Sequence, residues 1–274
     1  MLKHFLVFLL PNLIFCQLEL TEIELPKILR ETSALEYYRG NFITLNDSGG
    51  EPKLYSFNSY GEILNEYKIN GSVNRDWESL AADNNNFYIS DTGNRGNRKD
   101  LTIYILDQSL VLKDSIQINY KTQKKFKKKK KDRYDAEALV SFGSDLLLFS
   151  KDWKNYKTQI HIIPKKSGSY SLQPIAEVEV NSLITGGDYD PLQKKLVLTG
   201  TEYTIDNERK QYLILFSNFD LKNINNITFD KHQIPVSSAQ IEAIKISDSE
   251  TFWLTSENEG TGFPRLFKVC LSDF

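Results

Sequence analysis

The sequence predicts an all-β protein, a β-propeller of five four-stranded blades closed by pairing of the N-terminal strand with the last blade. Three observations carry that expectation. A phrase of Glu, then Ser or Ala, then Leu or Ile opens an apolar strand at Glu78, Glu137 and Glu242, with weaker copies at Ser33 and Gly187. Each opening leads through a short polar turn to a second apolar strand, as in Phe87 to Asp91, Leu147 to Lys151 and Trp253 to Glu257. The five anchors stand 45 to 59 residues apart, the spacing of four-stranded blades with variable connections. A β-sandwich shares the composition but gives one phrase no reason to recur at near-constant spacing.

Met1–Cys16 reads as a signal peptide. It has a basic start at Lys3 and His4, an apolar run from Phe5 to Phe15, and a polar change at Gln17. The run is short and interrupted by Pro11, whereas a bilayer span takes roughly 20 apolar residues. Cleavage after Cys16 is expected. A lipid anchor on Cys16 is the rival reading, and the bulky Phe15 argues against it. An exported protein, periplasmic or secreted, follows, with residues 17–274 as a single propeller domain and no transmembrane segment. With Cys16 gone, Cys270 is the last cysteine, so no intrachain disulfide can form and the core must hold the fold.

Leu18 to Leu25 alternates apolar and polar residues but precedes the first anchor and has no blade of its own. The last unit stops after Arg265 to Leu271, one strand short. Pairing the two closes the ring and removes an exposed sheet edge. In the second unit the outer strands are Leu101 to Leu106 and Val111 to Tyr120. In the third they are Lys157 to Ile163 and Tyr170 to Val180, with turns at 58–61 and 166–169.

The formal net charge of −2 gives no general pull toward nucleic acid or acidic lipid, and a monomer without specific nucleic-acid binding is expected. The one exception is the insertion Lys121 to Arg133, with eight lysines. Such a run repels itself and is expected to form a solvated, mobile loop; a contact with an anionic surface is the functional alternative. Gly-x-Ser-x-Gly, His-Glu-x-x-His and phosphate-cradling glycine loops are missing. Beyond the signal segment only His161 and His232 remain, which argues against a His-dependent triad. Trp77, Trp153 and Trp253 suit packing between blades better than stacking on a ligand.

The first strand of a propeller blade lines the channel, so the anchors should meet near the axis at one mouth. Three of them are carboxylates, Glu78, Glu137 and Glu242, which repel unless a cation or shared protons intervene. With Ser33 they form an oxygen-only set suited to Ca2+ and lacking the sulfur or imidazole of a zinc site. Glutamates bonded to water in a polar tunnel are the bland alternative. A second column, Asp47, Asp91, Lys151, Gly200 and Glu257, returns to the same face. So does a third, two residues before the anchors: Glu31, Asp76, Asp135, Thr185 and Gln240. Asn46, Arg75, Asp152 and Glu202 lie nearby. The function expected is a module holding a ligand or partner through this acidic mouth. The alternative is a calcium-dependent hydrolase of phosphate or carboxylic esters. In it Asp47 or Asp91 is the base, with Arg75 or Lys151 opposing developing charge.

The phrases Asn46-Asp-Ser-Gly, Asp76-Trp-Glu-Ser-Leu-Ala, Ser90-Asp-Thr-Gly-Asn, Asp135-Ala-Glu-Ala-Leu and Thr185-Gly-Gly-Asp-Tyr resemble those of a family of exported bacterial propeller proteins. That resemblance implies fold and export. A more distant one is to the calcium-activated nucleotidases (apyrases), also five-bladed, whose channel calcium is held by a serine and glutamates on successive inner strands. Ser33, Glu78, Glu137 and Glu242 are similar by position, while Gly187 stands where a serine is expected. Flanking residues that mark nucleotide hydrolysis are not recognisable. The resemblance therefore implies an ion site and leaves the reaction open.

Overall fold

A computed structural model describes residues 17–272 except 48, 129–131, 207, 237–238 and 259–261. The expected signal segment, Cys16 included, lies outside the described residues. The first strand is β1 (Gln17–Glu24). Blade one is β2 (Glu36–Tyr38), β3 (Asn41–Leu45), β4 (Lys53–Phe57) and β5 (Ile63–Lys68). Blade two is β6 (Ser79–Ala82), β7 (Asn86–Asp91), β8 (Leu101–Asp107) and β9 (Leu112–Tyr120). Blade three begins with β10 (Asp135–Phe142), β11 (Asp145–Lys151) and β12 (Thr158–Pro164); β13 (Gly168–Leu172) and β14 (Ala176–Val178) follow. Blade four is β15 (Leu183–Asp190), β16 (Lys195–Tyr203), β17 (Arg209–Phe216) and β18 (Asp230–Ile234). Blade five is β19 (Ile241–Ile246), β20 (Thr251–Ser256) and β21 (Arg265–Ser272), completed by β1.

The burial pattern follows from a ring of sheets stacked face to face. A second strand is covered on both faces by neighbouring blades, so β11 reads as the continuous apolar run Leu146-Leu-Leu-Phe, buried throughout. An outer strand faces water, and β5 is mostly exposed. Five apolar clusters result, one at each blade boundary. Leu45 and Leu54 meet Phe87 and Ile89; Ile103 and Ile116 meet Leu139 and Leu148; Leu147 and Phe149 meet Leu196 and Leu198. Val197 and Leu213 meet Ile244 and Phe252, and Phe42 and Phe57 meet Ala243 and Leu266. The fifth boundary joins last blade to first, so the ring is closed by packing as well as by hydrogen bonds.

Closure runs through β1, antiparallel to β21 from Gln17 opposite Ser272 to Glu24 opposite Arg265. The Leu25 amide extends the ladder to the Pro264 carbonyl at 2.7 Å. One expected strand divides. Tyr170 to Val180 is split at Gln173 to Ile175, where Pro174 cannot donate to a ladder. Its first half, β13, adds in parallel to β9, giving blade two a fifth strand; its second half, β14, takes the outer position of blade three. Part of the Lys-rich insertion is tied down, against the expectation of a free loop. Gln123 and Asp132 are buried, Asn94 Nδ2 donates to Gln123 Oε1 at 3.2 Å, and Lys99 sits over the Phe126 ring. Among the described residues no helix is long and apolar enough to cross a membrane.

Candidate metal centre at the channel mouth

Bulges at the start of the inner strands aim the anchors. The pairing of β10 with β11 skips Glu137, that of β19 with β20 skips Glu242, and that of β15 with β16 skips Thr185. A bulge leaves one residue unpaired and re-aims its side chain. Glu78 and Ser33 occupy the same register, their amides bonding the Ser90 and Leu45 carbonyls. The fourth anchor is therefore Thr185, which corrects the assignment of Gly187. The glycine lies two residues further along β15, packed so tightly that an added Cβ would stand 2.7 Å from Leu198 Cδ2. The hub thus carries Ser33, Glu78, Glu137, Thr185 and Glu242 in blade order.

Hydroxyls fix the backbone before each glutamate. Ser33 Oγ donates to the Trp77 carbonyl at 3.3 Å, Thr92 Oγ1 to Ala136 at 2.8 Å, and Thr185 Oγ1 to Ile241 at 2.7 Å. Every acceptor is the residue preceding a hub glutamate, and every donor comes from the preceding blade. Blade contacts thereby set the glutamate positions. Thr92 escaped the sequence reading. Its signal was a hydroxyl residue just past a second strand, which is common and says little by itself.

The cavity at this mouth measures about 320 Å³. Ser33, Glu78, Glu137 and Glu242 line it, together with Asp76, Asp135, Asp47, Glu257, Lys151 and Arg95. Carboxylate oxygens of Glu78, Asp135 and Glu137, all buried, lie within 4.8 Å of one another. Lys151 Nζ is bonded to Glu137 Oε2. Glu242 Oε1 is buried and has no hydrogen-bond partner. Gly93 faces this group closely: a Cβ there would stand 2.2 Å from Glu78 Oε1 and 2.4 Å from Asp76 Cγ. Trp153 and Tyr203 stack on the cavity wall at 6.3 Å, and Trp153 Nε1 donates to Asp135 Oδ2 at 3.1 Å. Trp153 thus packs between blades three and four, as expected, and also lines the cavity. Trp77 is core, and Trp253 packs on Phe42.

Other sequence-nominated residues fall elsewhere. Asp91 is buried away from the cavity lining, accepting from Arg98 at 2.7 Å and from the Asp76 amide at 3.0 Å. Blade two carries an extra residue there, so Gly93 takes the place read for Asp91, its amide bonding the Asp76 carbonyl. In blade four the cavity position is Thr201, and Gly200 packs against Ser182. Arg75 is exposed and paired with Asp100 at 3.0 Å; Glu202 is paired with Lys231 at 2.6 Å. Asp152 caps the turn at Lys154 and Asn155, Asn46 Nδ2 bonds the Ile28 carbonyl, and Glu31 lies beside Arg30 near the rim.

Burial and mutual repulsion shift the acids one way. Glu78 is pushed well above the usual carboxylate range, by burial first and then by Glu137 and Asp135. Glu137 is raised by burial despite Lys151. Burial takes Glu242 to about 7, against the pull of Lys151. Burial, Asp47 and Glu137 take Glu257 to about 8, and burial and Asp135 take Asp76 to about 6. Burial opposes the charge on Lys151, yet Glu137, Glu242 and Asp135 together raise its pKa. The single ammonium does not settle the cluster. All-oxygen donors, one orphaned carboxylate oxygen and a glycine cradle fit a hard divalent cation such as Ca2+.

Fold and site together define a class: a five-bladed β-propeller with an acidic axial centre at one mouth. No known family matches the sequence, and no curated protein does. Solved structures do match the fold. A glucose dehydrogenase aligns at 9% identity over 92% of this chain and 100% of its own, with a TM-score of 0.52. The catalytic domain of Coprinopsis cinerea GH62 α-L-arabinofuranosidase aligns at 10% identity over 89% of this chain and 90% of its own, with a TM-score of 0.50. At these identities the likeness extends to the fold alone.

Proposed function

We propose that the chain is an exported propeller that holds a calcium ion on its axis and uses the cavity above it to bind an oxygen-rich ligand or partner. The observation that carries this reading is the buried Glu78, Asp135 and Glu137 cluster beside the orphaned Glu242 Oε1. Ser33, Glu78, Glu137 and Glu242, with Asp135, would hold the ion, which supplies an electrophilic centre when bound. Thr185 already donates to the Ile241 carbonyl and closes the ring of anchors. Trp153 gives the ligand a flat wall. Export rests on the Met1–Cys16 pattern, and it places the site where calcium is abundant.

Calcium binding is tested by calorimetric melting in calcium and in chelator, with elemental analysis of the purified protein. Saturation near 100-fold over Kd stabilises by about 2.7 kcal/mol. A domain of this size then melts about 5–10 °C higher. Terbium emission sensitised by Trp153, lost in Trp153→Phe and in Glu78→Gln, places the ion. An unchanged melt and no emission would end the reading. The hydrolase alternative draws on Asp47 and Glu257, both lining the cavity. Chelator-sensitive turnover of nucleotides or esters would decide for it.

A further inference from the structure

Glu137 is claimed from two sides. Its Oε2 is bonded to Lys151 Nζ, and the same residue belongs to the Glu78, Asp135 and Glu137 cluster. Lys151 is 6% exposed and sits at the end of β11. The other four blades carry Asp47, Gly93, Thr201 and Glu257 at that register, none of them cationic. One ammonium cannot serve the whole hub, since Glu242 Oε1 is left without a partner. An ammonium offers three donors, whereas calcium takes six to eight oxygens and could take Glu78, Asp135 and Glu137 together.

The same Nζ stands 5.0 Å from the centre of the Trp153 ring on the cavity wall, so an aromatic face already holds the ammonium from a second side. The flexible four-carbon stem lets it leave Glu137 while keeping that contact. We infer that Lys151 is a tethered cation that occupies the Glu137 seat until a divalent ion displaces it, and that this competition sets the calcium affinity. The inference rests on the axial calcium reading. The exchange weakens calcium binding relative to a hub without the lysine, so the ion enters only where calcium is plentiful. At lower concentrations the lysine keeps the hub partly neutral and the ring intact.

Calorimetric titration with CaCl2 of the wild type, Lys151→Met and Lys151→Gln tests it, with Lys245→Met as a control for loss of a buried lysine at the opposite mouth. The expected result is at least tenfold tighter calcium binding in both Lys151 variants and unchanged affinity in Lys245→Met. Trp fluorescence should respond to calcium in the wild type and respond less in Lys151→Met, where no ammonium shifts beside the ring. Equal or weaker affinity in both Lys151 variants would overturn the inference and leave the axial calcium standing, with Lys151 merely orienting Glu137. Absence of binding in the wild type and every variant would overturn both. Lys151→Gln, uncharged and still able to donate to Glu137, keeps the test decisive if Lys151→Met does not fold.

Discussion

Gly93 shows how little room the hub leaves. A methyl group there would sit 2.2 Å from Glu78 Oε1, well inside van der Waals contact, with Asp76 close behind. Gly93→Ala must push both carboxylates out of position. The expected outcome is calcium binding weakened tenfold or more and a stability loss of about 1–3 kcal/mol, as for other overpacked sites. A variant that titrates like the wild type would show that Glu78 does not take its place from this contact. The hub acids were legible because Glu, at the head of an apolar strand, is too unusual to recur by chance. Thr185 was not, because blade four lacks the Glu-Ala-Leu phrase and the anchor was set on Gly187, two residues too far along β15. Asp91 was misplaced for a related reason: one extra residue in blade two turns it away from the cavity and onto Arg98.

At the scale of elements, β1 decides whether the ring is closed. It pairs with β21 over its whole length, and Leu20 packs on the cluster between blades four and five. Deleting Gln17–Glu24 would bare the β21 edge and strip that packing. An exposed long edge invites pairing with another copy. The deletion is expected to shift monomer to aggregate in size-exclusion chromatography and to broaden the melt. A sharp, monomeric melt would mean the fifth blade stands without it. This closure was readable from bookkeeping alone, a spare strand before the first anchor and a missing one after the last. The parallel addition of β13 to blade two was hidden, since nothing in Gly168-Ser-Tyr-Ser-Leu distinguishes pairing with its own blade from pairing with its neighbour's.

Across the whole molecule, two mouths face opposite ends of one channel and solve the same electrostatic problem differently. At the far mouth a cavity of about 370 Å³ holds Glu36 from β2, Asp188 from β15 and Lys245 from β19. Lys245 bonds Glu36 and reaches Asp188 at 3.1 Å; Asp83 and Lys165, also lining that cavity, pair with each other at 2.9 Å. Here the chain supplies its own cations, and one carboxylate remains in excess at Lys245. Burial, only partly offset by Lys245, pushes Glu36 up to about 7. A carboxyl raised in the folded state binds more protons folded than unfolded between about pH 4.5 and 7, so its contribution to stability falls as pH rises through that window. At 1.36 kcal/mol per unit the loss is on the order of 3 kcal/mol. Glu36→Gln leaves Lys245 with Asp188 alone and removes that term. The variant should therefore lose less stability than the wild type between pH 5 and 8, by roughly 2–3 kcal/mol, in denaturant melts run with chelator so that no divalent ion contributes. Parallel pH profiles would mean that Glu36 stays ionised throughout, with Lys245 neutralising it fully. At the near mouth seven acids line a cavity with Lys151, more than one ammonium can neutralise, so the excess there must be met by retained protons or by the axial cation proposed above.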